Sequence, residues 1–63
     1  MKLKVTISMD NDAFEKELEG VEICRILHQL AEHWNATGKM ERGDRVTLRD
    51  YNGNGVGEAK VTR

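Results

Sequence analysis

The sequence predicts a small α+β domain, a two-layer β-α-β-β unit with one main helix packed on a three-stranded sheet. Three observations predict it: residues 2 to 9 alternate strictly, an apolar stripe runs from Ile23 to Trp34 at three- and four-residue steps, and two Asn-Gly steps join two further alternating segments.

The first strand comes from the alternation. Leu3, Val5, Ile7 and Met9 point one way, and Lys2, Lys4, Thr6 and Ser8 the other, the two-residue period of a half-buried strand. Asp10, Asn11 and Asp12 then end it, because their side chains compete for nearby backbone groups. Asp12 with Glu15 reads as a capping box, which would start a helix at Ala13. Gly20 argues for a later start, since glycine inside a helix costs about 1 kcal/mol relative to alanine. The favoured reading is a short helical piece around 12 to 17, with Phe14 and Leu18 tucked against the core, and a main helix from about 19 to 36. Ile23, Ile26, Leu27, Leu30, Ala31 and Trp34 form its stripe; Arg25, Gln29, Glu32 and His33 lie off it, and Gly38 is the expected C-cap.

Alternation resumes at Arg45, with Val46 and Leu48 inward and Arg45, Thr47 and Arg49 outward. The last segment, 56 to 62, alternates more weakly, with Ala59 and Val61 as its inward pair. The Asn-Gly steps between them predict a hairpin. The open sheet face then carries Lys2, Lys4, Thr6, Ser8, Arg45, Thr47, Arg49 and Lys60, a basic, hydroxyl-rich surface suited to anions or an acidic partner.

The 63 residues allow a single domain, spanning the chain from 1 to 63. A domain this small buries only about 60% of the surface its unfolded chain exposes. With one cysteine it has no internal disulfide, so a homodimer is expected. Charged residues at 33%, hydrophobic residues at 38% and no proline describe a globular chain, not a disordered one. No segment resembles a signal peptide or the ~20 apolar residues of a membrane span, which gives an intracellular expectation with no membrane contact. The net charge of −1 is unevenly spread: Asp10, Asp12, Glu15, Glu17, Glu19, Glu22 and Glu32 face only Lys16 and Arg25 within residues 10 to 33. That asymmetry can orient a partner, but direct nucleic-acid binding is not expected from it.

Asp50, Asn52, Asn54 and Gly55 match D-x-N-x-N-G, the front of a calcium loop. The twelfth position, where a bidentate glutamate belongs, is Val61, and strand residues stand where the outgoing helix should be. No metal or other cofactor is expected. Gly53, Gly55 and Gly57 exceed what a two-residue turn needs, and such surplus glycines permit a bulge or a close backbone approach. They form neither a dinucleotide fingerprint nor a P-loop. Cys24 and His28 lie one helical turn apart but lack the further partners of a catalytic or metal site, and a buried, inert thiol is the simpler reading of Cys24. Glu15, Glu19 and Glu22 share a solvated acidic helix face. Trp34 is expected in the core. No pair of groups is arranged for acid–base work, so no enzymatic activity is expected.

A polar cluster gathers instead at the loop ends. Asn11, Asp12, Arg49, Asp50, Asn52 and Asn54 converge if the turn after the first strand approaches the hairpin loop. Arg25 or Arg49 would pair with a phosphate, and asparagine side chains and glycine amides would read a base or ribose. The same residues could equally hold the turn itself together.

"DNDAF" at 10 to 14, "RIL" at 25 to 27 and "LRDYNGNGVG" at 48 to 57 together resemble a largely uncharacterised family of short proteins encoded by bacteriophages and prophages, whose members read N-x-A-F, R-I-L and R-D-x-N-G-N-x-V-G in that order. Cys24 departs from the family's alanine, and "EKELEG" from an acidic segment with proline. The resemblance implies a phage context and the cytoplasm of a host bacterium. By analogy of class it implies counter-defence by binding. Two forms are expected: sequestration of a small anionic ligand such as a nucleotide signal, or inhibition of a host defence complex by the acidic stretch from Asp10 to Glu22 imitating nucleic acid. A structural phage component is the third.

Overall fold

The computed structural model describes residues Met1–Arg63. Strand β1 (Lys2–Ile7) leads through a 3-10 turn (Asp12–Phe14) to helix α1 (Glu19–Thr37), then to β2 (Arg45–Arg49) and β3 (Gly55–Thr62). The sheet order is β1-β3-β2, and both neighbours run antiparallel to β3. The last strand is therefore central, and β1 and β2 are both edges. The helix covers one face, giving the two-layer α+β architecture.

The entry to the helix follows the late-start reading with a different cap. Asn11, not Asp12, caps the 3-10 turn: its side chain accepts a 3.0 Å bond from Ala13 N, and no Asp12–Glu15 box forms. α1 begins after Leu18 without a side-chain cap, so Gly20 falls in the first turn, where its cost is smallest. Gly38 ends the helix at φ 71°, its N–H donating to Trp34 O at 2.8 Å.

Ile26, Leu30 and Trp34 from one helix stripe pack on Leu48, Val56, Ala59 and Val61, and Ala13 and Phe14 close the end. Burying Ile26 alone, 1% exposed, stabilises the fold by about 2 kcal/mol. Phe14 is buried as expected, but Leu18 is 49% exposed and does not join the core. Val56 enters the core because β3 bulges: Leu48 pairs with Gly57 and Arg49 with Gly55, leaving Val56 as the extra residue.

The inner face of β1 is the larger departure. Leu3, Val5 and Ile7 pair with Val61, Ala59 and Gly57, so they share the inward face, as the alternation requires. Only Ile7 packs against the core; Leu3 is 44% and Val5 39% exposed. The helix approaches the sheet on its β2 side and leaves β1 half-uncovered.

Candidate functional site

The hairpin loop is organised around one carboxylate. Asp50 is buried, and its Oδ1 accepts bonds from the Asn52 and Asn54 backbone N–H groups, both at 2.9 Å. Its Oδ2 accepts from Asn11 Nδ2 at 2.8 Å and Asn54 Nδ2 at 3.2 Å. Asp50 N donates to Asn54 O, and Gly53 N donates to Asp50 O. Burial opposes ionisation of Asp50, but the bonds from Asn54, Asn52 and Asn11 outweigh it and hold the carboxyl below its ordinary range. Where a calcium loop turns oxygens towards a cation, this loop turns N–H donors towards the Asp50 carboxylate.

A second buried carboxylate supports the first. Glu22, expected on a solvated acidic face, is 5% exposed. Arg25 Nε donates to its Oε1 at 2.6 Å, while Arg25 Nη2 (3.1 Å) and Tyr51 N (2.8 Å) donate to its Oε2. Arg25 Nη2 also donates to Arg49 O at 2.9 Å, tying the helix to the end of β2. The Arg25 bond, and after it the Tyr51 N–H, lower the Glu22 carboxyl against the effect of burial; reciprocally, Glu22 raises the Arg25 guanidinium. The available signal was register: Glu22 lies four residues before Ile26 on the stripe that continues to Leu30 and Trp34.

The turn after β1 does meet the hairpin loop, through Asn11 and Asp50. Asn11, Asp50, Asn54 and Arg25 are engaged in this network. Asp12 and Asn52 have exposed side chains, and Asn52 contributes only its backbone N–H. The exposed Arg49 guanidinium donates a single 3.2 Å bond to Gly53 O. Two of the three loop glycines are structurally required. Gly53 stands at φ 88°, and a Cβ on Gly57 would strike the Thr6 carbonyl oxygen. Cys24 is exposed rather than buried, because it lies on the helix face turned away from the sheet. No three His, Cys, Asp or Glu side chains gather as a metal-ligand set.

The largest concavity lies next to this network, between α1 and β2. It measures about 250 Å³, with Ile26, Leu30, Val46 and Leu48 as an apolar floor, Gln29 and His33 on its α1 side, and Thr47 and Arg49 along the β2 edge, where their side chains alternate with Leu48 towards the open face of the sheet. Gln29 and His33 were not singled out by the sequence, which placed them only off the apolar stripe. On the opposite, open face of the sheet, Lys4 pairs with Lys60 and Lys60 with Arg45, a row of three cations across three strands. None of them has a carboxylate within ion-pair distance; the one ion pair in the molecule is Arg25–Glu22.

No helix is long and apolar enough to cross a membrane. The chain matches no protein-family model, and no curated protein or solved structure is significantly similar to it.

Proposed function

We propose that the protein is a non-enzymatic binding module whose ligand is a small anion carrying a flat ring, such as a nucleotide, seated in the cleft between α1 and β2. The observation that carries this reading is an apolar-floored concavity that reaches the edge of β2 at Arg49. Ligand sites combine such a floor with a few convergent polar groups. A volume of about 250 Å³ suits one ring system rather than a whole ligand, with the charged part outside. The Arg49 guanidinium has donors to spare for a phosphate, since it makes one bond within the protein. Gln29 offers both a donor and an acceptor to a ring edge. The loop-end cluster supports this indirectly: Asp50 and Glu22 are buried carboxylates that repel an anion from the loop itself, but their bonds fix the backbone from which Arg49 projects. In the phage context implied by the resemblance, such binding would sequester a nucleotide signal.

Calorimetry with mono-, di- and cyclic nucleotides tests this. Arg49→Ala should weaken binding about thirtyfold, the effect of losing a charge-assisted bond, with an unchanged circular dichroism spectrum. No nucleotide binding, or binding indifferent to Arg49→Ala, sinks the reading.

The cationic row favours a second reading, an acidic protein partner docked on the open sheet face. Like charges directly opposite on adjacent strands are unfavourable, and an anionic surface would relieve them. Such binding would weaken steeply with salt, survive Arg49→Ala and be lost in Lys60→Glu.

A further inference from the structure

We propose that the free edge of β1 pairs with the β1 of a second copy, about a two-fold axis through Val5, to form a continuous six-stranded sheet. β1 is an edge strand whose inner face is apolar and half-uncovered. Ser8 N donates inward to Val56 O, so even-numbered N–H groups of β1 face β3. By alternation the N–H and C=O groups of Leu3, Val5 and Ile7 point to the open edge. A ladder of unpaired backbone groups is completed by another strand, not by a helix.

The sequence of β1 makes that strand its own partner. With Val5 on the axis, Val5 meets Val5 as a hydrogen-bonded pair, Leu3 lies opposite Ile7, Lys4 opposite Thr6 and Lys2 opposite Ser8. Every inner pair is apolar, and no two lysines face each other. The neighbouring two-fold register, centred on Lys4, would set Lys4 directly against Lys4, which is unfavourable. Charge removes that register; the one centred on Thr6 overlaps only residues 5 to 7 of the strand, so the Val5 register, which overlaps 3 to 7, is selected.

The helix supplies the cover. Arg25, Gln29 and His33 occupy the α1 flank over β2. Ile23, Leu27 and Ala31 follow one another at four-residue steps on the opposite flank, over β1, and Leu27 is 42% exposed. A two-fold axis normal to the sheet places both helices on the same side. Leu3, Val5 and Leu27 of each copy then converge in one groove, extending a core that holds only 9 buried residues in the single chain.

Sedimentation equilibrium on the whole protein tests the proposal. The wild type should be a dimer in the micromolar range. Val5→Pro removes an N–H that points to the open edge and leaves the β1–β3 ladder intact, a position where an edge strand tolerates proline. It should weaken dimerisation about thirtyfold or more, because two symmetry-related bonds are lost, with an unchanged circular dichroism spectrum. Should Val5→Pro fail to fold, Leu27→Lys on the exposed helix flank makes the same test without touching the backbone. Amide exchange on the wild type should show protection at Leu3, Val5 and Ile7 that rises with protein concentration. A wild-type monomer at 100 μM (about −5.5 kcal/mol of association unmet), a dimer untouched by the folded variants, or no protection of those amides overturns it.

Discussion

Asn11 and Asp50 are 39 residues apart in the chain, and the Asn11 amide donates to the Asp50 carboxylate at 2.8 Å. The same Asn11 side chain accepts from Ala13 N, so one residue caps the turn after β1 and clamps it to the hairpin loop. Asn11→Ala removes both bonds and leaves a buried carboxylate short of a donor. It should destabilise the protein by about 2 kcal/mol, read from urea unfolding. Asn11→Asp keeps the cap but sets two carboxylates against each other. It should be at least as destabilising at neutral pH and should recover on mild acidification. A neutral effect of both changes would mean that the clamp does not form in solution.

Acid sensitivity follows from the two buried carboxylates. Each is held below its ordinary value, 4.5 for Glu22 and 3.8 for Asp50. The unfolded chain therefore binds more protons than the folded chain through the window between the lowered and ordinary values. The stabilisation is complete above the ordinary values and is lost as pH falls through the lowered ones. The melting temperature should change little from neutral pH down to about 5.5 and fall steeply below about 4. Glu22→Gln should lower stability at neutral pH and flatten that slope. Stability that rises on acidification through this window would contradict the assignment.

The three loop glycines make a graded series. Gly57→Ala sets a Cβ against the Thr6 carbonyl and 2.9 Å from Ile7 Cα, both backbone atoms of β1. Neither can yield, so the change should cost about 3 kcal/mol or detach β1. Gly53→Ala, at φ 88°, should cost about 1 kcal/mol. Gly55→Ala meets only Thr47 Cγ2 at 3.9 Å and should lie within about 0.5 kcal/mol of the wild type. Equal effects at Gly55 and Gly57 would refute the close approach of β1 to Gly57.

The strands and the helix were legible because alternation and the Ile23–Trp34 stripe are direct records of which residues share a face. Whether a neighbour covers that face is a tertiary fact, so the alternation puts Leu3 and Val5 on the correct, inner side of the sheet, but the burial expected of that side is incomplete and leaves them half-uncovered. The D-x-N-x-N-G pattern correctly marked a loop folded around Asp50, since backbone amides two and four residues on are the natural partners of an aspartate. It did not tell whether those groups serve a metal, a ligand or the turn. Glu22 was misplaced for a physical reason. Hydrophobic periodicity assigns acids outward, and it takes the Arg25 guanidinium one turn on together with the distant Tyr51 N–H to make its burial tolerable. Gln29 and His33 carried no motif at all; the approach of α1 to β2 brings them to a cleft.

Strain at Glu17 gives the remaining prediction. Glu17 is the one non-glycine residue at positive φ, 74°, in the reversal between the 3-10 turn and α1, where Leu18 N donates to Glu15 O at 2.8 Å. A left-handed conformation costs an L-residue about 1 to 2 kcal/mol, while glycine there costs about 0.5 to 1 kcal/mol in backbone entropy. Glu17→Gly should therefore stabilise the protein by about 0.5 kcal/mol. The side chain is exposed, so no packing is lost. Its charge lies just before the N-terminus of α1, where an acid contributes a few tenths of a kcal/mol, and Glu17→Gln isolates that contribution. The informative comparison is Glu17→Gly against Glu17→Gln in urea. Glycine should exceed glutamine by about 0.5 to 1 kcal/mol, and Glu17→Val should fall below both, because β-branching resists positive φ. If glutamine matches or exceeds glycine, residue 17 is not held in the left-handed region in solution, and the sharp reversal that delivers α1 onto the sheet must be made elsewhere.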